Sequence, residues 1–158
     1  MTKSQKQQFT LRITQANKTE MIVILYEMIL AYIEEAKEAA RVDEKAEFKD
    51  AIRKIRGCIN ELMTSLHLEY DLAMNLLQLY LYMNRELVKA DLKNDITFIE
   101  HIESIVLKLH QSYKELAGQD KSGPVMENVQ TVYAGLTYGR GRLTENLTYQ
   151  SPNRGFAI

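Results

Sequence analysis

The side chains able to do chemistry in this chain are few and scattered. It holds three histidines and one cysteine among 158 residues. A di-iron centre inside a helical bundle needs a Glu three residues before a ligating His. Thr64, Phe98 and Leu107 stand at that place before His67, His101 and His110. The spacing is therefore missing each time, and no other grouping of His, Cys and carboxylate has ligand spacing. His67 falls near a turn, where a solvated imidazole is expected, and His101 and His110 fall off the main apolar stripe of their helix. Cys58 lies between Ile55 and Ile59 with no histidine within several turns, which suits a small buried hydrophobe rather than a nucleophile. Gly139-Arg140-Gly141 follows no strand and lacks the GxxxxGK pattern of a phosphate loop. Lys49, Arg53, Lys54 and Arg56 are diluted by Glu47, Asp50 and Glu61, with no aromatic interleaved, and read as a solvated helix back rather than a nucleic-acid strip. No catalytic residue, metal or cofactor is expected, so the chain reads as a binding protein and not an enzyme.

The tyrosines and the apolar runs carry more. Tyr26 and Tyr32 lie in one run, Met21 to Ile33, MIVILYEMILAYI; Tyr80 and Tyr82 lie in another, Leu72 to Met83, LAMNLLQLYLYM, with Tyr70 just before it. A surface helix normally carries one apolar stripe and a polar back, but these runs are apolar around most of the circumference. Both fall short of the roughly eighteen residues that span a bilayer, so no membrane insertion is expected. Tyrosine suits an interface, because its ring is apolar and its hydroxyl stays hydrogen-bonded. The structural alternative is that Tyr26 and Tyr80 border the core with their hydroxyls at its rim.

Periodicity predicts four helices: about Lys18–Arg41, Glu44–Leu68, Asp71–Asp91 and Asp95–Ala117. Asn17 and Glu20 form a capping-box pattern ahead of the first. Asp43, Asp71 and Asp95 are candidate caps for the others, and Gly118 is placed to end the last. The second helix has the stripe Phe48, Ile52, Ile55, Ile59, Leu62 or Met63, and Leu66; the fourth has Ile99, Ile102, Val106, Leu109, Tyr113 and Leu116. Helices of some 20 to 24 residues joined by short loops give an all-α fold, an antiparallel up-down-up-down four-helix bundle over residues 17–118. The spare apolar faces of helices one and three would then lie on different sides, and a partner using both would wrap around the bundle.

Residues 1–16 form an N-terminal arm, in which Phe9, Leu11 and Ile13 alternate with polar residues and suggest an extended strip across a groove. Residues 119–158 form a C-terminal extension. Val125, Val129, Val132 and Leu136 keep helical spacing, and a sparsely anchored tail follows from about Tyr138. The extension is expected to dock on the bundle, its own or a neighbour's. A net charge of −1 implies no general attraction to nucleic acid or acidic membrane. The basic N-terminus has no apolar stretch of a secretory signal, and the lone cysteine fits a reducing cytoplasm.

The order Gln15-Ala16-Asn17, Leu25-Tyr26, Glu61-Leu62, Ser65-Leu66, Ala73, Asn75-Leu76, Leu79-Tyr80-Leu81-Tyr82-Met83, Leu87 and Ala90 resembles the flagellin-specific export chaperones, the FliS family, over roughly residues 9–117. The chain departs from that pattern at Lys18, where a Pro is usual, at Leu81, where an acid is common, at Tyr113, where a Trp is frequent, and at Phe9, in place of an arm tyrosine. The resemblance implies a cytoplasmic chaperone. It would bind the C-terminal segment of unpolymerised flagellin, wrapped on the bundle partly as helix and partly extended. It would block premature polymerisation and aid type III flagellar export, with the export gate as a further partner. The candidate partner-binding residues are Leu25, Tyr26, Asn75, Leu76, Leu79, Tyr80 and Met83, some of which must be core. The alternative is a homo-oligomeric bundle module, a homodimer that buries its own spare faces.

Overall fold

The computed structural model describes residues 1–126. Five helices follow in order: α1 (Lys3–Gln15), α2 (Lys18–Arg41), α3 (Lys45–Thr64), α4 (Asp71–Lys93) and α5 (Thr97–Gln119). There is no strand among the described residues, and α2 to α5 form a helical bundle. α2 begins where the sequence says it must: Asn17 accepts from the Glu20 amide while Glu20 accepts from the Asn17 amide, closing a capping box. The expected stripe of α3 is the one buried, with Phe48, Ile52, Ile55, Ile59 and Leu62 inward. α4 adds Leu76, Tyr80, Met83 and Leu87, and α5 adds Ile99, Ile102 and Val106, to a single core.

α2 packs beside α3 and α5, and α4 packs beside the same two. α2 and α4 therefore face each other diagonally and meet through Tyr26 and Tyr80. The polar side-chain contacts run in opposite order along neighbours. On α2 and α3, Lys18 reaches His67 and Glu35 reaches Lys54; on α2 and α5, Glu27 meets His110 and Lys37 meets Glu103. One end of the bundle thus gathers the start of α2, the end of α3, the start of α4 and the end of α5.

Residues 1–16 differ from the extended strip expected of them. They form α1, opened by a second capping box between Thr2 and Gln5. The apolar alternation from Phe9 to Ile13 is too short to outweigh a segment rich in Lys, Gln, Leu and Arg, all good helix formers. α1 is lightly held: it buries no residue, and it is pinned to α2 by the Met1 amine on Glu35 and by Arg12 on Glu27 at 2.6 Å.

Four helix-end expectations also differ: the residue before α5 is Ile96 rather than Asp95, whose carboxylate accepts the Thr97 amide at 2.9 Å. Asp43 does not cap α3; it takes a left-handed φ of 57° as the residue after α2. There its amide and that of Glu44 bond back to Ala40 and Ala39, a Schellman ending with aspartate in glycine's usual place. Asp71 is the first residue of α4 rather than its cap. Gly118 does not end α5, which runs through it to Gln119, where the Asp120 side chain takes the Ser122 amide and turns the chain away. The sequence expectations for residues 127–136 and for the tail from Tyr138 lie outside the described residues. Among the described residues no helix is long and apolar enough to cross a membrane.

Candidate partner-binding groove

The end of the bundle where four segments converge carries an apolar groove. Met21, Ile22 and Leu25 come from the first turns of α2, and Leu66 and Tyr70 from the turn after α3. Leu72, Ala73 and Leu76 come from the start of α4, Tyr113 from α5 and Val125 from the segment beyond it; together they line a cavity of 450 Å³. The geometry follows from the local sequence. α3 ends at Thr64 with Ser65 as its cap, whose amide and hydroxyl both bond back to the Leu62 carbonyl, and the apolar residues of the connection 65–70 are held at the bundle's end. Leu68 is 50% exposed, Tyr70 64% and Leu72 63%. Contiguous exposed apolar surface of this kind marks an interaction site.

The groove continues past Met21, Leu25 and Ser65 into a second hollow of 570 Å³ between α2 and α3, walled by Met28, Tyr32 and Cys58 and crossed by Ile13 of α1. Charged side chains share the lining: Lys18, its Nζ 2.9 Å from His67 Nε2, in the first hollow, and Glu61 and Lys54, its ammonium 5.5 Å over the Tyr32 ring, in the second. Burial pushes the Cys58 thiol up to about 11, so it stays protonated and is no nucleophile at neutral pH. A roomier cleft, 660 Å³, lies elsewhere, between α1, α2 and α3, where Met1, Ala31, Ala39 and Val42 share the walls with Glu34, Glu35, Glu38, Glu44, Glu47 and Asp50. Among the described residues no three of His, Cys, Asp and Glu stand together as a metal site would need.

The expected partner-binding residues are divided by the structure. Leu25 and Leu76 line the groove. Asn75 is exposed on α4, and Leu79 is half-buried against the core. Tyr26, Tyr80 and Met83 are core, each no more than 1% exposed. The two tyrosine hydroxyls do not sit at the core's rim; they meet inside it, 2.5 Å apart. Each is thereby satisfied where water cannot reach. Burial raises Tyr80 to about 12 and drives Tyr26 higher still, with the neighbouring Tyr80 adding to the effect, so both stay neutral. Leu66, Tyr70 and Leu72 were not among the candidates. The sequence periodicity carries the second helix on to Leu68, but α3 ends at Thr64, which leaves Leu66, Leu68 and Tyr70 in a connection, where polar residues are the rule.

Comparison with known proteins agrees with the resemblance. The family model for the flagellar protein FliS matches residues 1–120. A relative from Bacillus subtilis (strain 168), named flagellar secretion chaperone FliS, is 28% identical over 100 residues, covering 63% of this chain and 75% of that protein. One of the same name from Escherichia coli (strain K12) is 27% identical over 103 residues, covering 63% of this chain and 76% of that protein.

Proposed function

The chain belongs to the FliS family of flagellar proteins, and on that premise we propose that it is a cytoplasmic, non-enzymatic flagellar secretion chaperone. It holds the C-terminal segment of unpolymerised flagellin, keeps it from polymerising early and presents it to the type III export gate. The observation that carries this reading is the open groove with Leu68, Tyr70 and Leu72 standing exposed around it. An amphipathic helix laid in such a groove buries its apolar face without needing a polar partner inside. A disordered segment that folds on binding loses ordering entropy, which only a large apolar contact offsets. The continuation from the first hollow into the second supplies that length. Leu25 and Leu76 are the contact residues retained from the sequence, with Asn75 beside them on α4; Tyr26, Tyr80 and Met83 act by fixing the spacing of α2 and α4 beneath.

Light scattering on the sized full chain, alone and with a flagellin C-terminal segment of some forty residues, tests the reading. A monomer that becomes a one-to-one complex is expected. A dimer that takes up no segment would make the chain the homo-oligomeric module instead.

A further inference from the structure

The chain beyond α5 is tied down before it reaches residue 127. Asp120 accepts the Thr19 hydroxyl at 2.6 Å, Asn17 Nδ2 donates to the Ser122 carbonyl at 3.4 Å, and the Val125 amide donates to the Ala16 carbonyl at 2.9 Å. These contacts lay residues 120–125 across the junction of α1 and α2 and bring Val125 to the wall of the 450 Å³ groove. Val125 and Met126 are 59% and 41% exposed there. The described chain therefore ends at the lip of the groove, and the region matched by the family ends before that, at residue 120.

We propose that residues 127–136 fold back into this groove of their own chain and hold it closed against other ligands. Val125, Val129, Val132 and Leu136 follow one another at steps of three and four, which sets them on one face of a helix about 17 Å long. A helix this short is marginal in water and becomes ordered only by burying its apolar face. The apolar surface that shares the groove with Val125 is Leu25, exposed Tyr70 and exposed Leu72, with Leu76 at its floor. Val125 is already fastened beside them, so the rest of the face is offered to the groove at an effective concentration on the order of millimolar. Even weak contacts then compete with a partner in solution. The docking stands on the geometry alone; that the displaced partner is flagellin rests on the function proposed above.

The test uses the full chain with Val129→Asp, Val132→Asp and Leu136→Asp together, and the chain ending at Met126 as a second variant. Methyl resonances of Leu25, Leu66, Leu72 and Leu76 are recorded without any partner. Both variants are expected to shift these four relative to the unaltered chain, leave the core methyls of Leu62 and Leu87 in place, and give the same result at every protein concentration. Unshifted groove methyls would overturn the proposal. Shifts that fade on dilution would also overturn it, since the occupant would then be a second copy. Titration with the flagellin C-terminal segment is expected to show about tenfold tighter binding by both variants. Shifted methyls with equal affinity would overturn the competition. Shifted methyls with no binding by any form would leave the docking standing and remove flagellin as the ligand.

Discussion

Tyr26 and Tyr80 are the one place where α2 and α4 exchange a buried hydrogen bond, hydroxyl to hydroxyl at 2.5 Å. Removing either hydroxyl leaves the other buried and unpaired, which costs about 1–3 kcal/mol. Tyr26→Phe and Tyr80→Phe are each expected to lower unfolding stability by that much in urea denaturation. The double variant should lose clearly less than the sum, because neither hydroxyl is then stranded. Asp120 supplies a second prediction. The Ser122 hydroxyl first, then the Thr19 hydroxyl and the Ser122 amide, hold its carboxyl down from an ordinary value of 3.8 to about 2. A carboxyl lowered by folding adds stability that is present above its ordinary value and lost as pH falls through its folded value. The pin on Thr19 is therefore expected to hold at neutral pH and to release between about pH 4 and 2. The Thr19 and Ser122 amide shifts should follow that titration, and Asp120→Asn should abolish it.

α1 lies against the bundle without entering its core. It buries no residue, and its charged ties are Arg12 on Glu27, with the arginine 46% exposed, and the Met1 amine on Glu35. The Arg12 pair, this open, contributes at most about 1 kcal/mol, and the Met1 side chain, 1% exposed, adds a little packing to the second tie. Deleting residues 1–12 is expected to keep cooperative unfolding and to lower stability by about 1–2 kcal/mol, read by thermal or chemical denaturation; loss of cooperativity would make α1 part of the core. The bundle helices were legible because their burial repeats at steps of three and four. Phe48, Ile52, Ile55, Ile59 and Leu62 mark the inner face of α3 by their spacing alone, and Asn17 with Glu20 marks where α2 begins. α1 was less so, since Phe9, Leu11 and Ile13 fit a strip as well as a helix, and the deciding Thr2–Gln5 box lies outside that window. Asp43 reads as a cap in sequence, and only the reversal of the chain between α2 and α3 puts it into a left-handed turn.

The groove belongs to the whole molecule. Leu25, Leu66, Leu72 and Val125 are far apart in sequence and share a wall only because four helix ends meet there. Periodicity could say that α2 and α4 hold more apolar surface than one core uses, and of the candidates named with the resemblance Leu25 and Leu76 line the groove. It could not say which side stays open, which is why Tyr26, Tyr80 and Met83 stood beside them as candidates until the core claimed them. The measurement that bears most directly on the groove as a flagellin site is calorimetric titration of the flagellin C-terminal segment. It should be run into the unaltered chain and into Leu25→Ala, Leu72→Ala and Leu76→Ala, with melting followed in parallel. Interface anchors typically cost 2 kcal/mol or more on truncation, roughly thirtyfold in affinity. At least one of the three is expected to weaken binding that much, and Leu72→Ala, whose side chain stands 63% exposed, should do so with its melting point unchanged. Normal binding by all three folded variants would contradict the account and put the flagellin contact on another face.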